Sequence, residues 1–160
     1  MSLEDATIGP ARPEDAAAMT AILNRIIEIG GTTAHEVPRT EAEVRRDHID
    51  GPGVQTSVVA EVGGQAVGWQ SIAIWLGEPH IGSFVQPGLQ AGGVGAALFA
   101  LTCKLARAAG LTRIEAAIRA DNVPGLAYYA RVGFADIAQE PGFALQDGRV
   151  VGRVHRRFIL

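Results

Sequence analysis

Val85-Gln86-Pro87-Gly88-Leu89-Gln90-Ala91-Gly92-Gly93-Val94-Gly95-Ala96-Ala97-Leu98 is the stretch that decides the reading of this chain. Ahead of it, Ile81 to Val85 reads as a strand closed by Pro87, which cannot donate to a sheet ladder. Behind it, Leu98, Leu101, Thr102, Leu105 and Ala108 recur at helical spacing, and Gly110 stands where a left-handed cap belongs. The order is strand, glycine-dense turn, helix. Such a turn aims backbone N–H groups, and the positive end of a helix dipole, at whatever lies above it. Gly92, Gly93 and Gly95 lack a Cβ, so an anion can approach the main chain closely. No lysine follows the glycines, which excludes a P-loop. A dinucleotide fingerprint belongs near the start of its fold, whereas helix and strand material precedes this turn.

The whole chain sets bounds on what the turn can serve. Its 160 residues, 48% hydrophobic and 19% charged, fit one domain over residues 1–160. A net charge of −3 argues against a nucleic-acid or anionic-membrane partner. The basic cluster Arg153, His155, Arg156, Arg157 reads as the solvated face of a last strand. One cysteine excludes an intrachain disulfide and fits a reducing compartment, and Cys103, inside the helix after the turn, reads as a core residue. No uncharged apolar run approaches about 18 residues and no signal-peptide pattern opens the chain. A cytoplasmic location is the expectation.

Around the central turn the pattern supplies further elements. Thr7 to Pro10 is an edge strand, and Pro13-Glu14-Asp15 leads into a helix with the stripe Met19, Ile22, Leu23, Ile26, Ile27, ended by Gly30-Gly31. Thr40 and Glu43 form a capping box opening a second helix through about Ile49. Gly63-Gly64 between Ser57–Val62 and Gln65–Trp75 signals a hairpin, with Trp69 and Trp75 as packing residues. A strand over Arg113–Ile118, a helix over Asn122–Arg131 capped by Gly133, and two strands from Phe134 and Arg149 complete the order β-α-α-β-β-β-α-β-α-β-β.

Gln90-Ala91-Gly92-Gly93-Val94-Gly95 resembles the Gln/Arg-x-x-Gly-x-Gly/Ala signature of the GNAT acetyltransferase superfamily, with Gln90, Gly93 and Gly95 at the signature positions. A second stretch, Asn122 to Phe134, is similar to the segment in which that family places an Asn ahead of a helix bearing Tyr-x-x-x-Gly-Phe. The element order matches too, so the resemblance extends over essentially the whole chain. It implies an α+β, three-layer GNAT fold with a mixed central sheet flanked by helices, and acetyl-CoA as co-substrate. The implied coenzyme site comprises Ser83, Phe84 and Val85, on a strand the family bulges, the turn Gln90, Ala91, Gly92, Gly93, Val94, Gly95 and Ala96, and Asn122 with Tyr129. Tyr128 points elsewhere on its helix.

The implied chemistry is direct transfer to a primary amine, with Tyr129 as the acid that protonates the departing thiolate. Thr32-Thr33 after the first helix resembles the phosphinothricin acetyltransferase-like branch, whose acceptors are small amino-acid analogues. That branch carries a basic glutamate on the strand before the turn, and here His80 holds the place. A neutral imidazole, with a reference pKa of about 6.5, can take the same proton. The strand connection at Leu76–Pro79 is shorter than in that branch. The acceptor would meet Glu28, Thr32, Thr33, His35 and Glu36. His35 and His80 have no third ligand at a recognisable spacing, so no metal is expected. Two other readings stay open: a non-catalytic acyl-CoA sensor, and transfer to a protein amine. The family often forms homodimers, and the strand ending Phe158-Ile159-Leu160 could take part.

Overall fold

Gly63 and Gly64 adopt φ of 58° and 78°, the backbone a tight hairpin demands, and so join β2 (Val54–Val62) to β3 (Gln65–Trp75). The structure is a computed structural model that describes residues 5–89 and 92–160. β1 (Thr7–Pro10) pairs antiparallel with β2, and a 3-10 turn at Pro13–Asp15 starts α1 (Ala16–Ile29), which Gly30 ends at φ 77°. The Thr40–Glu43 capping box forms in both directions and opens α2 (Glu41–Val44). The helix does not run on regularly to Ile49: Arg45–Ile49 is a π-helical turn, which advances His48 onto the sheet.

β4 (Glu78–Val85) returns alongside β3 and leads through the glycine turn to α3 (Val94–Ala108). β5 (Arg113–Arg119), α4 (Val123–Val132), β6 (Ala135–Ala144) and β7 (Val150–Ile159) follow. The seven-stranded sheet has the order β1-β2-β3-β4-β5-β7-β6. It is antiparallel except where β4 meets β5.

Two apolar layers sandwich this sheet. On one face α1 and α2 pack Met19, Leu23, Ile27 and Val44 against Trp69, whose indole N–H donates to Met19 O at 3.0 Å. On the other, Phe99 and Cys103 of α3, Tyr129 of α4 and Phe134 just after it pack against Ile72, Ile81, Ile114 and Ile118. Cys103 is thus a core residue. Trp75 is not: it stands 43% exposed near the β3–β4 turn. Nor is the basic cluster on β7 a free solvated face. Arg156 pairs with Asp136, Arg157 with Glu115, and His155 with Glu140. Among the described residues no helix is long and apolar enough to cross a membrane.

Candidate active site

β4 and β5 pair at one register only, His80 opposite Glu115. From that point toward the carboxyl ends no further register joins the two parallel strands, and this unpaired stretch is the gap in the middle of the sheet. The expectation of a bulge in β4 is corrected here. Its pairing with β3 runs without a shift from Trp75 opposite Glu78 to Gly68 opposite Val85, and the opening lies on the β5 side instead.

On the α3–α4 face of the gap, four side chains form one polar cluster. The Tyr129 hydroxyl donates to Ser83 Oγ at 2.9 Å, and Gln70 Nε2 donates to the same oxygen at 2.8 Å. Gln70 Nε2 also donates to the Tyr128 hydroxyl at 3.1 Å, which donates to Gly95 O at 2.8 Å. Tyr128 therefore does not turn away; both phenols reach the cluster, their rings edge to face at 5.0 Å. Ser83 Oγ already accepts two hydrogen bonds, so its own proton is left to point elsewhere. Burial raises the Tyr129 phenol pKa well above its ordinary value, partly offset by the bond to Ser83, and keeps it protonated. Tyr128 is raised by burial too.

The glycine turn ends at Gly93, in the left-handed region at φ 81°, as the N-cap of α3. No side chain caps that end, and no acid sits in the first turn. Val94 is buried beneath the turn. This fits an anion seat, with one reservation at Gly92, whose N–H is spent on Leu89 O at 3.1 Å. Gln90 and Ala91 lie outside the described residues. Asn122 differs from expectation. Its Oδ1 caps α4 through Gly125 N at 2.9 Å and its Nδ2 donates to Thr32 O at 3.0 Å, so the carboxamide ties two protein segments together.

His80 lies on the opposite face from Tyr129. Its ring meets Trp75 edge to face at 4.8 Å, and Nδ1 lies 3.2 Å from Glu78 O. A carbonyl only accepts, so Nδ1 carries a proton, and in the neutral ring Nε2 is the nitrogen that holds the lone pair. The sequence gives no signal for three other residues on this face. His48 Nδ1 is 2.8 Å from Ser71 Oγ, and its ring packs edge to face on Trp69 at 4.9 Å. Burial, then the neighbouring His35, lowers its pKa to about 4. Arg119 is buried and forks onto Asp121 at 2.9 and 2.8 Å while donating to Thr33 O at 3.0 Å. Glu115 is buried beside His80.

A cavity of about 270 Å³ lies beside the loop after α1, lined by Thr33, His35, Glu36, Arg119, Leu145 and Arg149 among others, with His80 and Glu115 outside its lining. Three expected acceptor contacts thus line one space, and Glu36 Oε1 accepts from Gln146 N at 2.7 Å across it. Burial, then Arg39, lowers the His35 pKa. Thr32 contributes its carbonyl to Asn122. Glu28 is corrected: exposed on α1, it pairs with Arg25 at 3.1 Å and is not among the cavity's lining residues. A larger open groove between α1 and Gln86-Pro87, about 470 Å³, offers Arg25 as its charged side chain and no acid or base. Among the described residues no three potential metal ligands cluster.

The acetyltransferase (GNAT) family model matches residues 20–134. A search of curated proteins finds no match to the sequence. Solved structures share the fold. yncA from Salmonella typhimurium, with its cofactor acetyl-CoA, aligns at a TM-score of 0.84 and 23% identity over 97% of this chain and 94% of that one. A phosphinothricin acetyltransferase from Sinorhizobium meliloti, in complex with acetyl-CoA, gives 0.84 and 21% over 98% and 89%. A ribosomal-protein-alanine N-acetyltransferase from Brucella melitensis gives 0.82 and 24% over 96% and 99%.

Proposed function

Because the chain belongs to the GNAT acetyltransferase family, we propose that it transfers the acetyl group of acetyl-CoA directly to the primary amine of a small molecule, an amino acid or amino-acid analogue. The observation that carries this reading is the gap between β4 and β5 with a phenol hydrogen-bonded to Ser83 on one face and an imidazole anchored through Nδ1 on the other. The thioester supplies an activated acetyl group and a thiol leaving group. Amides at the start of α3 would hold its diphosphate, and Ser83 to Val85 its pantetheine arm, along the strand that lacks a β5 partner there.

The body of the acceptor occupies the cavity of the loop after α1, whose size suits a small molecule better than a polypeptide, and its amine extends beyond that lining toward His80. His80 Nε2 takes the proton that the attacking amine sheds. The departing sulfur takes a proton from Ser83, which Tyr129 replaces along the 2.9 Å bond between their hydroxyls. Gln70 fixes Ser83 from below, so the relay needs no rearrangement at the moment of transfer.

A thiol-release assay over amino acids, their analogues, polyamines and an alanine-ended peptide tests the proposal. Tyr129→Phe and Ser83→Ala should each lower kcat about a hundredfold or more while acetyl-CoA still binds. Turnover of the peptide alone would move the acceptor to a protein amine. Coenzyme binding with no turnover of any amine would make the protein a sensor.

A further inference from the structure

On the face that carries His80, the pairing of strands sets up a row of neighbours around the gap. Ser71 stands opposite Gly82 and Ala117 opposite His155, so the two positions flanking the gap just beyond His80 and Glu115 carry almost no side chain. All four histidines of the chain belong to this side: His48 on Ser71, His80 and His155 on the sheet, and His35 in the cavity wall with Arg119. Glu115 closes the narrow end. It is 4% exposed, and Arg113 and Arg157 both bind the same oxygen, Oε1, at 3.2 and 2.7 Å. Its other oxygen, Oε2, is buried without a hydrogen-bond partner. A buried carboxylate oxygen left without a donor is costly, and its retention calls for a ligand that supplies one.

We propose that Glu115 Oε2 and His80 Nε2 together seat the ammonium group of the acceptor, making Glu115 a substrate-binding residue that selects primary amines over hydroxyl nucleophiles. This rests on the acetyl-transfer reading for its purpose, not for its geometry. Both atoms are acceptors on paired residues of adjacent strands, and the smallest side chains of that face stand beside them. A primary ammonium has three N–H donors and satisfies both at once; an alcohol has one and leaves the other bare. The charges nearby include Arg113 and Arg157 on Oε1, Glu78, which pairs with Arg113, and Arg153, which lies over the Trp75 ring that packs on His80 and pairs with Glu140. Arg113 and Arg157 anchor the carboxylate and leave Oε2 to the ligand. The seated ammonium then gives one proton to His80 Nε2, and its freed lone pair forms the C–N bond as the C–S bond breaks. The second proton lost from that nitrogen leaves to solvent, and the departing thiolate is protonated through Ser83 and Tyr129.

The test uses the whole chain with the His80 ring followed by ¹H–¹³C NMR. Ethylammonium chloride is titrated in, against potassium chloride at matched ionic strength and against ethanol. A saturable shift of the His80 signal with ethylammonium alone is expected. Glu115→Gln should abolish that shift and raise KM for an accepted amine about tenfold or more, with a smaller change in kcat. Glu115→Asp, which keeps the partner of both arginines, should weaken the shift without abolishing it, and serves if the glutamine variant does not fold. No shift in the wild-type protein, or an unchanged one in a folded Glu115→Gln, overturns the proposal. A protein that seats ethylammonium yet acetylates no amine keeps the site and defeats the acetyl-transfer reading.

Discussion

Two histidines illustrate how much a single side chain's surroundings decide. His80 keeps a free nitrogen because a carbonyl fixes its tautomer, whereas His48 is committed to Ser71 and an aromatic wall. Burial lowers the His48 pKa from 6.5 to about 4, so the unfolded chain binds a proton that the folded one refuses. Its contribution to stability is therefore complete above about pH 6.5, falls as the pH drops, and levels off below about pH 4. Between pH 7.5 and 4.5 this amounts to about 2 to 3 kcal/mol. Urea unfolding at those two pH values should show His48→Leu losing that much less stability on acidification than the wild type. Equal losses would mean that the buried imidazole does not govern the acid limb.

Elements carry the next level of explanation, and the start of α3 shows two glycines needed for different reasons. Gly93 has open space around its missing Cβ but sits at φ 81°, so a side chain there meets backbone strain only. Gly95 has no special φ; a Cβ would lie 2.7 Å from Tyr128 Cε1. Gly95→Ala must push the Tyr128 ring away, and with it the bonds to Gly95 O and Gln70. We expect Gly95→Ala to cost about 1 to 3 kcal/mol by chemical denaturation and to weaken acetyl-CoA binding. Gly93→Asn, which tolerates the left-handed region, should cost less than Gly93→Val. Equal tolerance at both positions would remove the steric account of the motif. The same reasoning explains Gly125, whose Cβ would strike the capping Asn122 side chain at 2.3 Å.

At the scale of the molecule, the sheet is two antiparallel units, β1 to β4 and β5 to β7, joined at His80 and Glu115. The gap between them leaves backbone groups of β4 and β5 unpaired on their facing edges. Hydrogen exchange should find those amides, from Gly82 to Val85 and from Ala116 to Arg119, less protected than the β2–β3 ladder wherever they face the gap. Acetyl-CoA should slow them selectively. Exchange that does not change on adding acetyl-CoA would place the ligand elsewhere. The acceptor side is braced as a unit too: Arg119, Asn122 and Gln146 each fasten the loop after α1, at Thr33, Thr32 and Glu36.

Local rules were enough to read the order of elements, the hairpin at Gly63-Gly64, the Thr40–Glu43 box and the Gly133 cap, since each depends on residues a few positions apart. The same holds for the glycine turn and for Tyr129 in its motif, and the family followed from them. What local pattern could not reach was decided by strands distant in sequence lying side by side. Pairing β4 with β5 set Glu115 beside His80, pairing β3 with β4 put Gln70 opposite Ser83, and the packed sheet turned Arg119 into the brace of a loop some way before it in the chain. A side chain's partners there depend on which strand lies next to which, and that is fixed by the packing of two helical layers on one sheet rather than by any spacing along the chain.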